Sequence, residues 1–235
     1  FLNPIHAEVN MIAFRVDINK EIASGHIMRC ITIAKKIISF GEKVLFICSD
    51  NYCDSFLTPL GIPYVTTNGD WQNWDKEIGT IKSIISYYSI NCLFVDSYVV
   101  SNYYLKTIND IIPVAYIDDY LTSPLPVTLL IAPTQSKDLS FVPEMYKDCD
   151  TKLLLGKDYL IIRDEFLLEK DNLTKDGILI TTGGSDKYHF TLNFINVILN
   201  NPLLCNEKYN KYRHELYSVF AYRFQSRNYN RKCYS

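Results

Sequence analysis

The sequence lacks long apolar runs and any surplus of basic charge. Its apolar runs are no longer than single β-strands, whereas a membrane-spanning helix needs about 20 apolar residues. The 24 Lys and Arg residues are balanced by 26 Asp and Glu residues, so the basic footprint of a nucleic-acid-binding protein is missing. No basic lead and apolar core of a secretory signal opens the chain. We therefore expect a cytoplasmic protein that binds neither membranes nor nucleic acids.

The sequence also lacks the cysteine and histidine spacings that are typical of disulfide frameworks and zinc sites. The seven cysteines show no C-x-x-C spacing, and an odd number of cysteines in a chain with a sizeable core is typical of reduced, cytosolic thiols. The four histidines are His6, His26, His189 and His214. They are far apart and show none of the short spacings of zinc ligands, so the sequence predicts no metal site.

Three glycine-containing signatures are absent as well. No G-x-G-x-x-G follows a predicted strand, the P-loop lysine is missing, and no G-x-S-x-G occurs. These absences disfavour nicotinamide-dependent oxidoreductases, P-loop nucleotidases and serine hydrolases of the α/β-hydrolase type.

What the sequence does contain is a regular alternation of short apolar runs with amphipathic segments. The predicted strands of its N-terminal part are Ile12–Phe14, Lys43–Cys48, Ile62–Thr66, Cys92–Val95, Val114–Ile117 and Thr128–Ala132. Helical spacing of apolar residues predicts helices over His26–Phe40, Trp71–Tyr88 and Asn102–Ile111. Such alternation is typical of an α/β fold with a parallel sheet and helices on both faces.

The alternation divides the chain into an N-terminal domain over residues 11–150 and a partial second domain over residues 165–204. The second domain has a predicted strand at Ile178–Thr182 and a predicted helix at Lys187–Leu199. We expect Met11 to be the natural start. Residues 205–235 are rich in Tyr, Asn, Arg and Lys, and we interpret them as an atypical polar tail, the product of a truncated or frameshifted end.

Polar residues follow the predicted strands at the edge where a parallel sheet binds its ligands. Ligands bind outside the carboxyl ends of such strands, so the loops that leave those strands are expected to converge on one crevice. These loops contain Arg15–Asp17, Gly25–Arg29, Asp96–Tyr98 and Asp118–Tyr120. The candidate site residues on them are Arg15, Asp17, Gly25, His26, Arg29, Tyr98 and Asp118.

His26 lies at the predicted start of a helix, directly after Gly25. The partial positive charge of a helix N-terminus favours neutral imidazole, and neutral imidazole suits a general base near neutral pH. Gly25 would permit a tight turn and the close approach of a ligand. Structural alternatives stay open: His26 as an ordinary helix residue, Arg15 with Asp17 as an ion pair, and Asp118 with Asp119 as a helix-capping pair.

A second candidate site is the turn Gly183–Asp186, between a predicted strand and a predicted helix. Backbone N–H groups at such a turn can bind phosphate. Gly and Ser or Asp are also common in any strand-to-helix turn, so the turn by itself is a weak signal.

The motifs together resemble those of the UDP-2,4-diacetamido-2,4,6-trideoxy-β-L-altropyranose hydrolases of pseudaminic acid biosynthesis. That family begins with F-R-x-D and a loop I-G-x-G-H followed by M-R or K-R. This chain has FRVD and then IASGHIMR, so Ala23 replaces the first glycine. The other matching segments, in order, are VDSYVVS (95–101), IDDY (117–120), GKDYLIIRDEF (156–166) and TGGSD (182–186).

The resemblance implies a GT-B-like fold of two Rossmann-like parallel-sheet domains, of which the second is incomplete here. It implies that a UDP-linked diacetamido sugar is hydrolysed without a metal or other cofactor, and that His26 is the base that activates water. It places Arg15, Asp17 and Tyr98 beside the sugar. It places Gly183, Gly184 and Ser185 beside the nucleotide phosphates.

The chain departs from the family after the second predicted helix. Family members continue with further strands and a glycine- or serine-rich loop followed by a glutamate, but residues 205–235 contain no glycine. We therefore predict weak binding of the UDP-sugar by this chain, with slow hydrolysis or none. Alternatives are a glycosyltransferase of the same fold, a spore-coat polysaccharide protein and a non-catalytic sugar-binding remnant. The sequence does not determine the oligomeric state.

Overall fold

The computed structural model describes residues 11–135, 138–167, 178–181, 186, 188, 190–201, 208–213 and 219–225. The chain divides into two compact units. The first extends to Leu167, except for Ala23–Gly25, and the second contains Ala23–Gly25 and the residues after Leu167.

The first unit is built on a seven-stranded sheet. Its strands are β1 (Met11–Val16), β2 (Lys43–Cys48), β3 (Tyr64–Thr66), β4 (Ile90–Asp96), β5 (Val114–Ile117), β6 (Leu129–Ala132) and β7 (Lys152–Leu155). The strand order is β3-β2-β1-β4-β5-β6-β7, and every neighbouring pair is parallel. The prediction of an α/β fold with a parallel sheet is therefore confirmed.

Helices connect these strands. They are α1 (Gly25–Ser39), α2 (Asp54–Leu57), α3 (Ile78–Tyr88), α4 (Asn102–Asn109), α5 (Phe141–Met145) and α6 (Asp164–Leu167). Gly41 follows α1 with a φ of +89°, and its N–H donates to the carbonyl of Ile38 at 2.9 Å. This is the glycine termination that the sequence predicts. At the start of α4, the Ser101 side chain caps the helix by accepting from the N–H of Tyr104.

The core lies on both faces of the sheet because successive strand residues point to opposite sides. On one face, Phe14 packs with residues of α1 such as Ile27 and Ile31. On the other, its neighbour Ala13 packs with residues of α3 and α4, which include Ile81. Each large apolar side chain that is fully buried contributes roughly 1.5–3 kcal/mol, so both helical layers hold the sheet in place.

The strand order reverses between β1 and β4. From β1 the chain proceeds outward to β2 and β3, and it then returns to place β4 on the other side of β1. In open parallel sheets, ligands usually bind where the strand order reverses, at the carboxyl ends of the strands, so the ends of β1 and β4 are the expected ligand site.

The second unit has three described strands and one described helix. These are β8 (Ile178–Thr181), α7 (Phe190–Leu199), β9 (Lys208–Arg213) and β10 (Val219–Gln225). The strands pair antiparallel in the order β8-β10-β9, unlike the parallel second domain expected from the sequence. Only five residues separate β9 from β10, too few for the crossover that a parallel pair requires. Two strands thus occupy the region predicted to be a polar tail.

None of the helices in the described ranges is both long enough and apolar enough to cross a membrane.

Candidate functional site

The candidate site lies at the carboxyl ends of β1, β4 and β5, where the strand order reverses. His26 is the second residue of α1, the helix that follows β1, and Asp96 is the last residue of β4. Asp119 comes just after β5. Because β1 and β4 are neighbours, the topology brings together side chains that are 70 residues apart.

His26 is paired with a buried carboxylate. Its Nδ1 lies 2.6 Å from Oδ1 of Asp96, and the Asp96 residue is only 1% exposed. The imidazole itself is 14% exposed. Among the residues that the structure describes, Nε2 of His26 has no hydrogen-bond partner. The protein thus holds one ring nitrogen of His26 through Asp96.

Arg29 lies one turn along α1 and joins two carboxylates. Its Nε and Nη2 donate to the two oxygens of Asp96, with the Nη2 contact at 2.6 Å. Its Nη1 donates to both oxygens of Asp119 at 2.9 Å. These ion pairs raise the pKa of Arg29 despite the opposing effect of burial, so the guanidinium is permanently charged.

Tyr98 completes the exposed side of the site. Its hydroxyl donates to Oδ2 of Asp119 at 2.6 Å, and burial together with this bond raises its pKa to about 12. Its ring meets the His26 ring edge-on, with centroids 4.5 Å apart, and lies 4.9 Å from the ring of Tyr120. Both tyrosines are more than half exposed, so they present an aromatic surface beside the imidazole.

Asp96 is held in its ionised form. Burial alone would raise its pKa, but hydrogen bonds from Arg29 and His26 and the charge of Arg29 lower it. The Cys30 thiol adds a weak contact at 3.7 Å from Oδ2. Burial also raises the pKa of Cys30, so this thiol is a neutral donor.

The ionised Asp96 predicts a dependence of stability on pH. Its pKa is lowered on folding, so its stabilising contribution is complete above the ordinary value of 3.8 and is lost as the pH falls through the folded-state value. We expect the difference in unfolding free energy between the unsubstituted chain and Asp96→Asn to shrink over that acid interval. Urea unfolding at a series of pH values measures it, and a pH-independent difference would contradict the assignment.

Arg15 and Asp17, predicted beside the sugar, lie instead in a buried network. Arg15 is 0% exposed and Asp17 is 5% exposed. Arg15 donates to Asp17 and to Glu77, both at 2.7 Å, and to Ser49 at 2.9 Å. The guanidinium also lies 3.8 Å over the ring of Trp74. With all of these partners inside the protein, burial disfavours direct contact between Arg15 and a ligand.

Asp17 has its own set of donors. Its Oδ1 accepts from the backbone N–H of Ser49 at 2.6 Å, and its Oδ2 accepts from the Ser49 hydroxyl and from the Trp74 indole. This network joins the carboxyl ends of β1 and β2. The ion pair proposed from the sequence as an alternative is thus present, extended by Glu77.

Gly25 has an ordinary backbone conformation. The described glycines with positive φ are Gly41, Gly61 and Gly156, so the backbone at position 25 does not by itself require glycine. A Cβ built on Gly25 meets no described atom within 4 Å. No described atom therefore fills the position that a larger side chain would take next to His26.

Asp118 and its neighbour Asp119 have different roles. Oδ1 of Asp118 accepts from the backbone N–H of Tyr120 at 2.8 Å, which forms a local turn, and Asp118 is 6% exposed. Asp119 reaches Arg29 and Tyr98. Sequence reasoning placed Asp96 and Asp119 in the loops expected to converge but named only Asp118 as a site residue. The available signal was that all three end a parallel strand or lie within two residues after it.

The phosphate-binding prediction for Gly183, Gly184 and Ser185 falls outside the described residues. Within the described part of the chain, no three His, Cys, Asp or Glu side chains are grouped as a metal ion would require.

Comparison of the sequence with protein families and with curated proteins gives no match. Among solved structures, MurG from Acinetobacter baumannii aligns over 63% of this chain and 45% of its own, with 9% identity and a TM-score of 0.44. A glycosyltransferase from Rickettsia africae ESF-5 aligns over 63% and 42%, with 13% identity and a TM-score of 0.47. A UDP-GlcNAc 2-epimerase from Methanocaldococcus jannaschii aligns over 53% and 39%, with 12% identity and a TM-score of 0.38. This chain thus spans less than half of each of them.

Proposed function

We propose that this chain hydrolyses a UDP-linked 2,4-diacetamido-2,4,6-trideoxy sugar and releases UDP and the free sugar, with His26 as general base. The observation that carries the proposal is the hydrogen bonding of His26, which lies where the strand order reverses. Its Nδ1 is engaged by Asp96 at 2.6 Å, while its Nε2 has no partner among the described residues. The sequence motifs of the hydrolase family supply the substrate class.

The reaction balances with His26 as the only proton acceptor. A water molecule beside the imidazole gives a proton to Nε2 while its oxygen forms a bond to the anomeric carbon of the sugar. The bond between that carbon and the phosphate oxygen breaks, and its electron pair leaves with UDP. The imidazolium then returns its proton to solvent. A positioned base of this kind contributes about 10²–10⁴-fold to the rate.

The charges around His26 favour the sugar over the diphosphate at this place. Arg29 carries one positive charge, while Asp96 and Asp119 carry two negative charges. With a neutral imidazole, the cluster of His26, Arg29, Asp96 and Asp119 contains two carboxylates and one guanidinium. Its excess of negative charge does not attract phosphate. The exposed rings of Tyr98 and Tyr120 offer an apolar surface to the faces and acetamido methyl groups of a deoxy sugar.

The substrate contacts that we propose follow from this arrangement. His26, Arg29 and Tyr98 line the sugar side, while Arg15 and Asp17 support the crevice from beneath through their buried network. Gly183–Ser185 are proposed to bind the nucleotide phosphates. Backbone N–H groups at a helix N-terminus can stabilise the charge that develops on a leaving diphosphate without a metal ion.

The test is to incubate the full chain with the UDP-sugar and to quantify UDP and free sugar over time. We expect equal amounts of the two products, with no requirement for added acceptor or metal. UDP release that depends on an acceptor and yields a glycosylated product would replace hydrolysis with glycosyl transfer. Calorimetric binding of the free sugar without any UDP release would leave only a sugar-binding module.

The open space at Gly25 provides a separate prediction about substrate binding. Gly25→Val should change the unfolding free energy by no more than about 0.5 kcal/mol, as at other unconstrained surface positions. It should weaken binding of the UDP-sugar several-fold, because the new side chain fills the space next to His26 that a ligand would use. Urea unfolding and calorimetric titration measure the two effects, and unchanged affinity would show that the ligand does not approach Gly25.

A further inference from the structure

We propose that Asp96 is the positioning residue of the site: it holds the proton of His26 on Nδ1 and so keeps the lone pair of Nε2 free to accept a proton. This inference rests on the proposed function for its chemical purpose. The tautomer itself is a property of the free protein, and it can be measured without substrate.

The geometry requires a proton between the two side chains. Nδ1 of His26 and Oδ1 of Asp96 are 2.6 Å apart, a distance at which two lone pairs would repel one another, whereas a charge-assisted hydrogen bond is favourable. Asp96 is an acceptor at all of its other contacts, so the proton belongs to the imidazole. A neutral histidine whose Nδ1 carries the proton has its other nitrogen as an acceptor.

The carboxylate cannot easily turn away from the ring. Arg29 donates to both of its oxygens, the Cys30 thiol lies against Oδ2, and the Asp96 residue is 1% exposed. Rotation of the carboxylate would break the charge-assisted hydrogen bonds from Arg29 and His26 at once. Asp96 is therefore a rigid support for the imidazole.

Arg29 is in turn held in place from the other side. Both oxygens of Asp119 accept from its Nη1 at 2.9 Å. Its Nη2 lies 3.2 Å from Nδ1 of His26 but only 2.6 Å from Oδ1 of Asp96, so the stronger hydrogen bond of this nitrogen is the one to the carboxylate. Arg29 thus supports the carboxylate and does not compete for the ring nitrogen.

Asp96→Asn should change the tautomer because an amide cannot satisfy both partners. If its NH₂ group faces His26, Nδ1 becomes the acceptor and the proton moves to Nε2. If its NH₂ group faces Arg29, two donors oppose one another. In a hydrolytically active chain, kcat should fall by about 10³-fold or more, as expected when a base is held in the wrong tautomer, with a much smaller change in KM.

The closing experiment is nitrogen-15 NMR of the histidine rings in the full chain at alkaline pH, where imidazole is neutral. Of the four histidine ring systems, the one lost in His26→Asn belongs to His26. We expect a protonated, pyrrole-type Nδ1 and a bare, pyridine-type Nε2 in the unsubstituted chain. Asp96→Asn should move the proton towards Nε2. As a control, Lys35→Gln, on the exposed side of the same helix, should leave the His26 signals unchanged.

Two results would overturn the proposal. One is a proton on Nε2 in the unsubstituted chain, a measurement that does not depend on whether any variant folds. The other is a folded Asp96→Asn chain that retains the original tautomer. Because no substrate is involved, failure of the UDP-sugar assay leaves this test intact, and a failed tautomer test leaves the hydrolysis assay to be judged by its products.

Discussion

His26→Asn is expected to reduce the release of UDP by about 10²–10⁴-fold relative to the unsubstituted chain, the contribution of a positioned general base. Asparagine is polar and neutral, and its amide can still donate to Asp96 in place of Nδ1. It offers no basic nitrogen in the position of Nε2. The change therefore removes the base while it retains the buried hydrogen bond.

Three measurements separate loss of chemistry from loss of structure. The unfolding free energy of His26→Asn should be close to that of the unsubstituted chain, and its affinity for UDP should remain within a few-fold. Lys35→Gln, on the exposed side of the same helix, should retain the original rate of UDP release. A rate that survives His26→Asn within a few-fold would show that His26 is a structural residue and that another group activates the water.

The largest effect on stability is expected from Arg15→Met. Arg15 is fully buried and paired with Asp17 and Glu77. Methionine fills a similar volume beneath Trp74 but leaves two buried carboxylates without a compensating charge. We expect the free energy of unfolding to fall by about 3–5 kcal/mol, as is typical when one partner of a buried ion pair is removed. Urea unfolding measures this loss.

The exposed pair of Lys106 and Asp110 provides the matched control. These side chains are about two-thirds exposed and 3.2 Å apart, so Lys106→Met should cost no more than about 1 kcal/mol. Adding Asp17→Asn and Glu77→Gln to Arg15→Met should recover part of the lost stability. A stable Arg15→Met chain with weakened sugar binding would instead return Arg15 to the substrate contacts predicted from the sequence.

Particular elements show which parts of the secondary structure could be predicted from the sequence and which could not. The strand at Lys43–Cys48 and the helix beginning next to His26 were predicted at or within one residue of their observed bounds, because apolar periodicity directly reports which face of an element is buried. The strands Lys208–Arg213 and Val219–Gln225 were not predicted. Their polar and aromatic residues have no clear periodicity, and such strands form through pairing with a neighbour.

The site was predicted only in part, because local sequence patterns again gave only the local features. That His26, Arg29 and Tyr98 lie at one edge of a parallel sheet follows from their place after strands, which is local information. That Asp96 is the partner of His26 depends on β4 lying beside β1, which is a long-range choice. Asp118 was selected over Asp119 because the sequence does not reveal which of two adjacent carboxylates closes the turn and which reaches Arg29.

The sequence by itself thus determined six of the seven strands of the first unit, its three longest helices, the parallel sheet and the edge at which His26 lies, since each depends on periodicity within a short segment. Only the tertiary structure decided which carboxylate holds His26, that Arg29 joins two acidic residues, and that Arg15 is buried. Those outcomes depend on the order of strands and the reach of individual side chains across the sheet. They are set by packing between segments that are distant in the chain.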